Sequence, residues 1–587
     1  MRVNKGIQLA NRDSHFLSAM FKESDAYSSM ELIESFVEKG VSLKNVPLQP
    51  LYLALKSLPL DQVVKHLEKL SPDQRALMQD LDLWTKDEID PEEFDFWVQV
   101  YANCLNDDVR SEFSCGVEFL LYLKGRFNIW TFDAEDPNYP DHDNYFLTDD
   151  GLLLFEFHDD FSLVSEVRTI IREIYSTLGV ENAYCWLFKM VSEAAISMIE
   201  DEYQAKNGRL VDAGFVDYFS ALELDNPHIN LQVMESKLAK KEKISVGVHQ
   251  FSKQQVLPKN ALLPFKGEFS SFDDELSKVE DEKRKEYLRF NFLRLVNGNV
   301  ALKGSYKDGA VAITRAGEKT KNFLLLGFDY LNHELRKKNL LNIEGEESLF
   351  NLFDFTEIFR VGNSLIRFLQ KDLKKALRNS GVSEEEKFLG PLINEYLDNL
   401  FNEPVLYAAS FGSASEAVTS FKVYQSLERD CLLYCQLIPF IGELYKNFTP
   451  LRVDGRIQDH FYLNYSVEEI DAEAIFLSSF ANHVLVGTGQ LEQEVVNKGK
   501  LGLTVEEFRS FTKPLLGDDG EVDFNKSKKY LENFWESFGL SKVPFIDLYF
   551  EGLLKSQLEG YDYQELIDGD FAHVGGPIIF KPAKDLS

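Results

Sequence analysis

The chain has 587 residues, 96 acidic and 63 basic, which gives a formal net charge of −33 and an isoelectric point of about 4.8. A surface of that sign repels phosphate backbones and anionic lipid, so nucleic-acid binding is excluded as an expectation. Apolar residues make up 44%, and 47 Phe with 24 Tyr make aromatic-rich cores in several domains the natural outcome.

The amino end lacks a charged segment followed by a continuous apolar run, so no secretory signal is expected. Ser28 to Gly40 reads as a short helix, with Ser28 and Glu31 as a capping box and Gly40 as its stop. Leu58 to Leu105 then carries three amphipathic helices in succession. Val63, Val64, Leu67 and Leu70 fall on one face of the first, and Leu77, Leu81 and Trp84 on one face of the second. Phe94, Trp97, Val98 and Tyr101 do so on the third. Ser71, Pro72 and Gln74 predict a capped start for the second helix, and Asp90, Pro91 and Glu93 repeat the arrangement for the third. The helical pattern continues to about Phe127.

There the period changes. FNIWTF is aromatic and β-favouring, and the run from Tyr145 to Phe157 places Asp149-Asp150-Gly151 between two apolar stretches, a hairpin signal because Gly151 tolerates positive φ. A three-stranded β insert is expected. From Phe161 a broad stripe of Leu163, Val164, Val167, Ile170, Ile171, Ile174 and Tyr175 predicts a helix ended near Gly179, with Asp159 or Asp160 as its N-cap. A longer helix from about Ala183 to Ala205 is expected to stop at Asn207-Gly208. Residues 234–265 are poor in large apolar residues and rich in Lys, as a solvated linker would be. Beyond it the pattern is helical, with further capping boxes at Ser383/Glu386, Ser466/Glu469 and Thr504/Glu507.

Three segments carry a resemblance. LSPDQRALMQDLDLW, MIEDEYQAKNGRLVDAGFVDYFSALEL, and LLLGFDYL followed by DFTEIFRVGNSLIRFLQKDL are similar to signatures of a bacterial family of helical proteins known only as a domain of unknown function. The stretch Leu58 to Trp84 also resembles the cytosolic superhelical domain of bacterial magnesium transporters, without a transmembrane part. The resemblance implies bacterial origin and no chemistry. Within the signatures, Arg209 and Asp212 stand at i, i+3 and can pair on one helix. Gly214 with Phe215, and Arg360 with Gly362, fit close helix contacts, and the two arginines are either structural or ligand-anchoring.

One region gathers residue types suited to a divalent metal. Asp141, His142, Glu156, His158 and Asp159 cluster around the hairpin, and Glu156 and His158 would share one side of an alternating strand. The same residues have plainer roles as caps and solvated surface. Elsewhere the motifs fail. His333-Glu334 begins a zinc helix motif, but position 337 is Lys. Cys431 and Cys435 share a helical face without a second ligand pair, and buried thiols are the simpler account. Gly487-Thr488-Gly489 lacks the third glycine of a dinucleotide fingerprint.

The expected fold is therefore mainly α, packed helical hairpins in an irregular superhelix with a small antiparallel β insert near 127–157. The expected divisions are 1–126, the insert 127–160, a helical region 161–233, the linker 234–265, a second helical domain 266–450 and a helical region 451–587. No run reaches the ~20 apolar residues of a membrane span. Sparse cysteines, five in the chain, fit a reducing cytoplasm. The expected function is a non-enzymatic scaffold or adaptor for protein partners, with no cofactor. The alternatives are a metal-dependent hydrolase at residues 141–160 and a small-molecule sensing protein.

Overall fold

The computed structural model describes residues 42–227, 275–303, 309–337, 348–382, 387–409, 413–453, 470–489 and 503–567, apart from isolated positions in the first stretch. The helix at Ser28–Gly40, the linker at 234–265 and the capping boxes at Ser383 and Ser466 lie outside the described residues. The protein is mainly α, in two compact units. One comprises residues 1–321 with 335–360 and the other residues 322–334 with 361–587.

The first unit begins with α1 (Leu48–Lys56), α2 (Leu60–Leu67) and α3 (Pro72–Asp82). Ser71 accepts from the Gln74 backbone N–H and Gln74 reaches back to Ser71, the reciprocal cap foreseen from sequence. A two-residue antiparallel pair, β1 (Trp84–Thr85) and β2 (Glu88–Ile89), leads to α4 (Pro91–Ala102). Asp90 caps α4 through the N–H groups of Glu92 and Glu93, while the Glu93 carboxylate takes Lys56 at 2.7 Å. Then come α5 (Asp107–Ser114) and α6 (Val117–Arg126). Phe94 stacks on Tyr122 with ring centroids 4.5 Å apart, and Tyr101 on Phe113 at 4.2 Å, so the helices share one aromatic core.

The insert is β3 (Asn128–Thr131), β4 (Tyr145–Leu147) and β5 (Leu153–Glu156), antiparallel in the order β3-β5-β4. Gly151 turns the hairpin at φ +70°. Leu153, Leu154 and Phe155 are all buried, so the central strand is covered on both faces. Asp150 accepts from the Tyr175 hydroxyl at 2.8 Å, and Arg168 lies 5.5 Å from the Phe146 ring, which docks the insert on the next helix, α7 (Val164–Leu178). That helix has Leu163 at its N-cap without a side-chain cap. Asp159 and Asp160 are thus not its caps; they precede the first turn by too many residues.

The expected helix from Ala183 to Ala205 is two helices, α8 (Val180–Ser192) and α9 (Ala195–Asp212), divided at the extended residues Glu193 and Ala194. Asn207-Gly208 does not end the second. Leu210 is buried and Arg209 is anchored by its side chain, so helical packing on both sides of Gly208 outweighs the cost of glycine there. The unit continues through α10 (Tyr218–Asp225), α11 (Glu282–Leu302), the early part of α12 (Gly309–Lys337) and the start of α13 (Phe355–Ser380).

The second unit is built around one helix. It contains α14 (Pro391–Phe401), the pair β6 (Leu406–Tyr407) and β7 (Glu416–Ala417), and α15 (Phe421–Val453). Next come α16 (Ala472–Gly487), α17 (Val505–Thr512), α18 (Phe524–Phe538) and α19 (Ile546–Leu558). The α16 sequence, AEAIFLSSFANHVLVG, is apolar almost all round and buried along nearly its whole length. It packs on α15, α17, α18 and α19, with Phe476 and Phe480 set among Phe534, Phe538 and Phe550. In α13, Gly362 lies against α12 so closely that a Cβ would collide with the Phe323 carbonyl oxygen, the tight approach the sequence suggested.

Candidate functional site

Of the hairpin acids and histidines, Glu156 is half-buried and Asp141, His142, His158 and Asp159 are exposed. The Asn144 backbone N–H donates to His142 Nδ1 at 3.2 Å, so the ring proton sits on Nε2, which meets Glu156 Oε1 at 2.9 Å. Glu156 Oε2 accepts from Asn128 at 3.1 Å, its cross-strand neighbour. Asp159 accepts from the Asn144 side-chain amide. Asp141 and His158 stand in solvent, and β5 ends at Glu156, before the alternation could carry His158 to its side. Only His142 and Glu156 of the five come together. Among the described residues no three His, Cys, Asp or Glu side chains are placed to share a metal ion.

The buried charges are elsewhere. Arg209 of α9 grips Asp80 of α3 with two parallel bonds, Nε to Oδ2 at 2.8 Å and Nη2 to Oδ1 at 2.7 Å. The same Nη2 reaches Glu202 at 2.8 Å and Glu118 of α6 at 3.2 Å. Lys206, itself buried, lies 4.7 Å from the Trp84 ring and 4.5 Å from that of Tyr203. Three carboxyls therefore face two cations. Burial, then the Glu202 carboxylate beside it, holds the Glu118 carboxyl well above the usual range, so Glu118 keeps its proton and the group balances. Burial also raises Asp80, against the pull of Arg209. Arg209 thus joins two of the sequence signatures, rather than pairing with Asp212, which is exposed at the end of α9. The i, i+3 pairing fails because helix geometry points Arg209 at the α3 and α6 carboxylates.

Two residues before the α3–β1 corner, Asp82 serves the opposite side of α3. It accepts from the Tyr52 hydroxyl at 2.5 Å, Trp97 Nε1 at 2.9 Å and Lys56 at 3.0 Å. Sequence periodicity had given that place to Leu81, which is only half-buried. Nothing in the pattern marks Asp80 or Glu118 as buried; their only signal is that each interrupts an apolar stretch. Arg360 is half-buried and donates to the carbonyls of Glu223 and Leu224, closing the last turn of α10. Cys431 and Cys435 do share a helix face, with sulfurs 4.0 Å apart.

An apolar helix edge remains exposed. On α8, Val180, Tyr184, Phe188 and Val191 fall within roughly 80° of arc at 100° per residue, beside the buried face of Ala183, Leu187 and Met190. Val180 is 60% exposed and Val191 38%. Tyr184 and Phe188 are half-buried and stack on each other at 5.7 Å. The helix is held at both ends. Gly179, at φ +76°, makes the turn from α7, a conformation closed to side chains. Lys124 of α6 donates to the carbonyls of Met190 and Glu193 at the far end, the latter at 2.6 Å.

A family of unknown function, DUF6178, matches residues 20–507 of the chain. No curated protein and no solved structure matches it. Among the described residues no helix is long and apolar enough to cross a membrane.

Proposed function

The chain belongs to that family of unknown function, and from this premise we propose that it is a non-enzymatic cytoplasmic adaptor that docks a partner protein on the exposed edge of α8. The observation that carries the reading is the row Val180, Tyr184, Phe188 and Val191, an apolar edge that continues the buried face of α8 beyond what the fold covers. An amphipathic helix laid along this edge would cover it with its own apolar side chains. The partner surface around that contact is basic, because a chain of net charge −33 repels an acidic one and steers a cationic one. A reducing compartment suits five free cysteines, with Cys185 exposed on α8 itself.

The test compares Val180→Asp combined with Val191→Asp against Leu105→Asp, a change at a still more exposed apolar position in the same unit. Partners captured from the native host by the parent are identified, purified and titrated against all three proteins by calorimetry. The α8 variant is expected to lose binding while the Leu105 variant keeps it, with the melting temperature of both unchanged. Equal binding by all three removes α8 from the interface. Light scattering on the parent alone decides whether the occupant is instead a second copy.

A further inference from the structure

The second unit contains a cavity of about 350 Å³ between α14, β6, α15 and α19, within the range of small-molecule sites. Four tyrosines stand in its walls: Tyr396, Tyr407, Tyr434 and Tyr549. Four carboxylates and two cations share the lining. Both cations are already engaged. Arg429 pairs with Asp430 at 2.8 Å, and Lys555 with Glu551 at 2.8 Å. Tyr407 closes the first pair, donating to Asp430 at 2.9 Å and accepting from Arg429 at 3.3 Å.

One carboxylate is left over. Glu559 accepts the Val522 backbone N–H at 3.1 Å and feels the Lys555 ammonium. Glu395, half-buried on α14, has neither a hydrogen bond nor an ion pair among them, and Asn399 stands one turn further along the same face. A second observation is independent of charge. Tyr549 is only 2% exposed, and its hydroxyl has no hydrogen-bond partner among the described residues. A buried hydroxyl left unbonded costs stability, and the charges nearest to this one are the Glu473 and Asp471 carboxyls at the start of α16. Tyr396, in the same wall, has its hydroxyl satisfied by the Leu427 carbonyl at 2.8 Å.

We propose that this cavity binds a small organic cation, an ammonium or guanidinium group carried on a compact molecule or on the side chain of a peptide. The unpaired Glu395 carboxylate takes the charge, Asn399 takes a donated hydrogen, and the tyrosine rings supply cation–π contact. An anion is disfavoured by the same lining, since Arg429 and Lys555 are neutralised and the excess is negative. The site is separate from the α8 edge and does not depend on it.

The experiment is calorimetric titration of the full chain with putrescine, spermidine and agmatine, and with a short Lys- or Arg-bearing peptide. Hexane-1,6-diol serves as a neutral control. Two variants are measured beside the parent, Glu395→Gln and Tyr549→Phe, each first checked for an unchanged melting temperature. At least one cation is expected to bind with one-to-one stoichiometry, the diol not at all, and Glu395→Gln to weaken binding about tenfold or more. Tighter binding of the free amines or of the peptide identifies the source of the cation. Failure of every cation to bind overturns the proposal. Binding that Glu395→Gln and Tyr549→Phe both leave unchanged also overturns it, because the acidic surface alone then accounts for the affinity.

Discussion

The β insert and the α3–α6–α9 joint hold similar inventories of charge and use them in opposite ways. Around the hairpin, His142 and Asp159 are exposed and Glu156 is half-buried, and each is met by a close neighbour in the same hairpin. At the joint, Asp80 and Glu202 are buried, Glu118 is nearly so, and all three answer to Arg209 with Lys206 close by. The lesson is that the number of titratable side chains in a stretch of sequence says little. What gives a charge energetic weight is the loss of its solvent, because an interior with few dipoles cannot replace hydration. Glu118 illustrates this: loss of solvent, then the Glu202 carboxylate beside it, holds its carboxyl above the usual range.

The contrast breaks most sharply at Arg209. Arg209→Ala leaves Asp80 buried without its partner and is expected to cost roughly 2 kcal/mol of stability, below the range for a fully buried ion pair because the Arg209 side chain is 37% exposed. Urea denaturation of the full chain measures it. Pairing Arg209→Met with Asp80→Asn should cost less than Arg209→Ala alone, since Asp80 is then no longer a charge without its partner, although Glu202 still loses Arg209.

Titration sharpens the comparison next. The raised Glu118 carboxyl is protonated in the fold and ionised in the unfolded chain, so its contribution is present at acid pH. It is lost as pH climbs from the ordinary carboxylate range through the raised folded value. Glu473 behaves alike in the second unit, where burial, then Asp471, pushes it up to about 8 from an ordinary 4.5. Stability should therefore fall between about 4.5 and about 8 on this account, with Glu118→Gln and Glu473→Gln each flattening the fall. Thermal melts across that window give the slope. Equal slopes in parent and variants would show that neither carboxyl carries a proton into the fold.

A smaller loss is expected at Asp82. Tyr52→Phe removes one of three donors to this buried carboxylate and should cost about 1.5 kcal/mol, the value for a hydrogen bond to a charged group. The smallest effect belongs to the insert. His142→Ala with His158→Ala should change stability by no more than about 0.5 kcal/mol, and metal content by mass spectrometry should be the same with and without the two rings. Stoichiometric metal that disappears in the double variant would place a site where the geometry places none.

These differences also mark what was legible from sequence. The helices around Ser71 and Thr504 were readable because capping boxes are local. The hairpin was readable because Gly151 and the flanking apolar runs act within a few residues. The stop at Gly208 misled, since long-range anchoring of Arg209 to Asp80 carries the helix past a glycine that would otherwise end it. Asp80, Glu118 and the unbonded Tyr549 hydroxyl were invisible for the same reason: their partners, or the lack of them, lie far away in the chain. Cys431 with Cys435, and the closeness of Gly362 to its neighbour, came through because helix periodicity and glycine report on faces. The α8 edge was hidden by a helix boundary misplaced at Ala183, which removed Val180 from the pattern.

The adaptor reading is tested most directly by photo-crosslinking in the native host, with a photoreactive amino acid placed at Tyr184 and, separately, at Leu105. The account predicts a discrete crosslinked species from position 184 that is absent from position 105, with a mass equal to the chain plus one basic partner. No crosslink from position 184, or the same species from both positions, would contradict it.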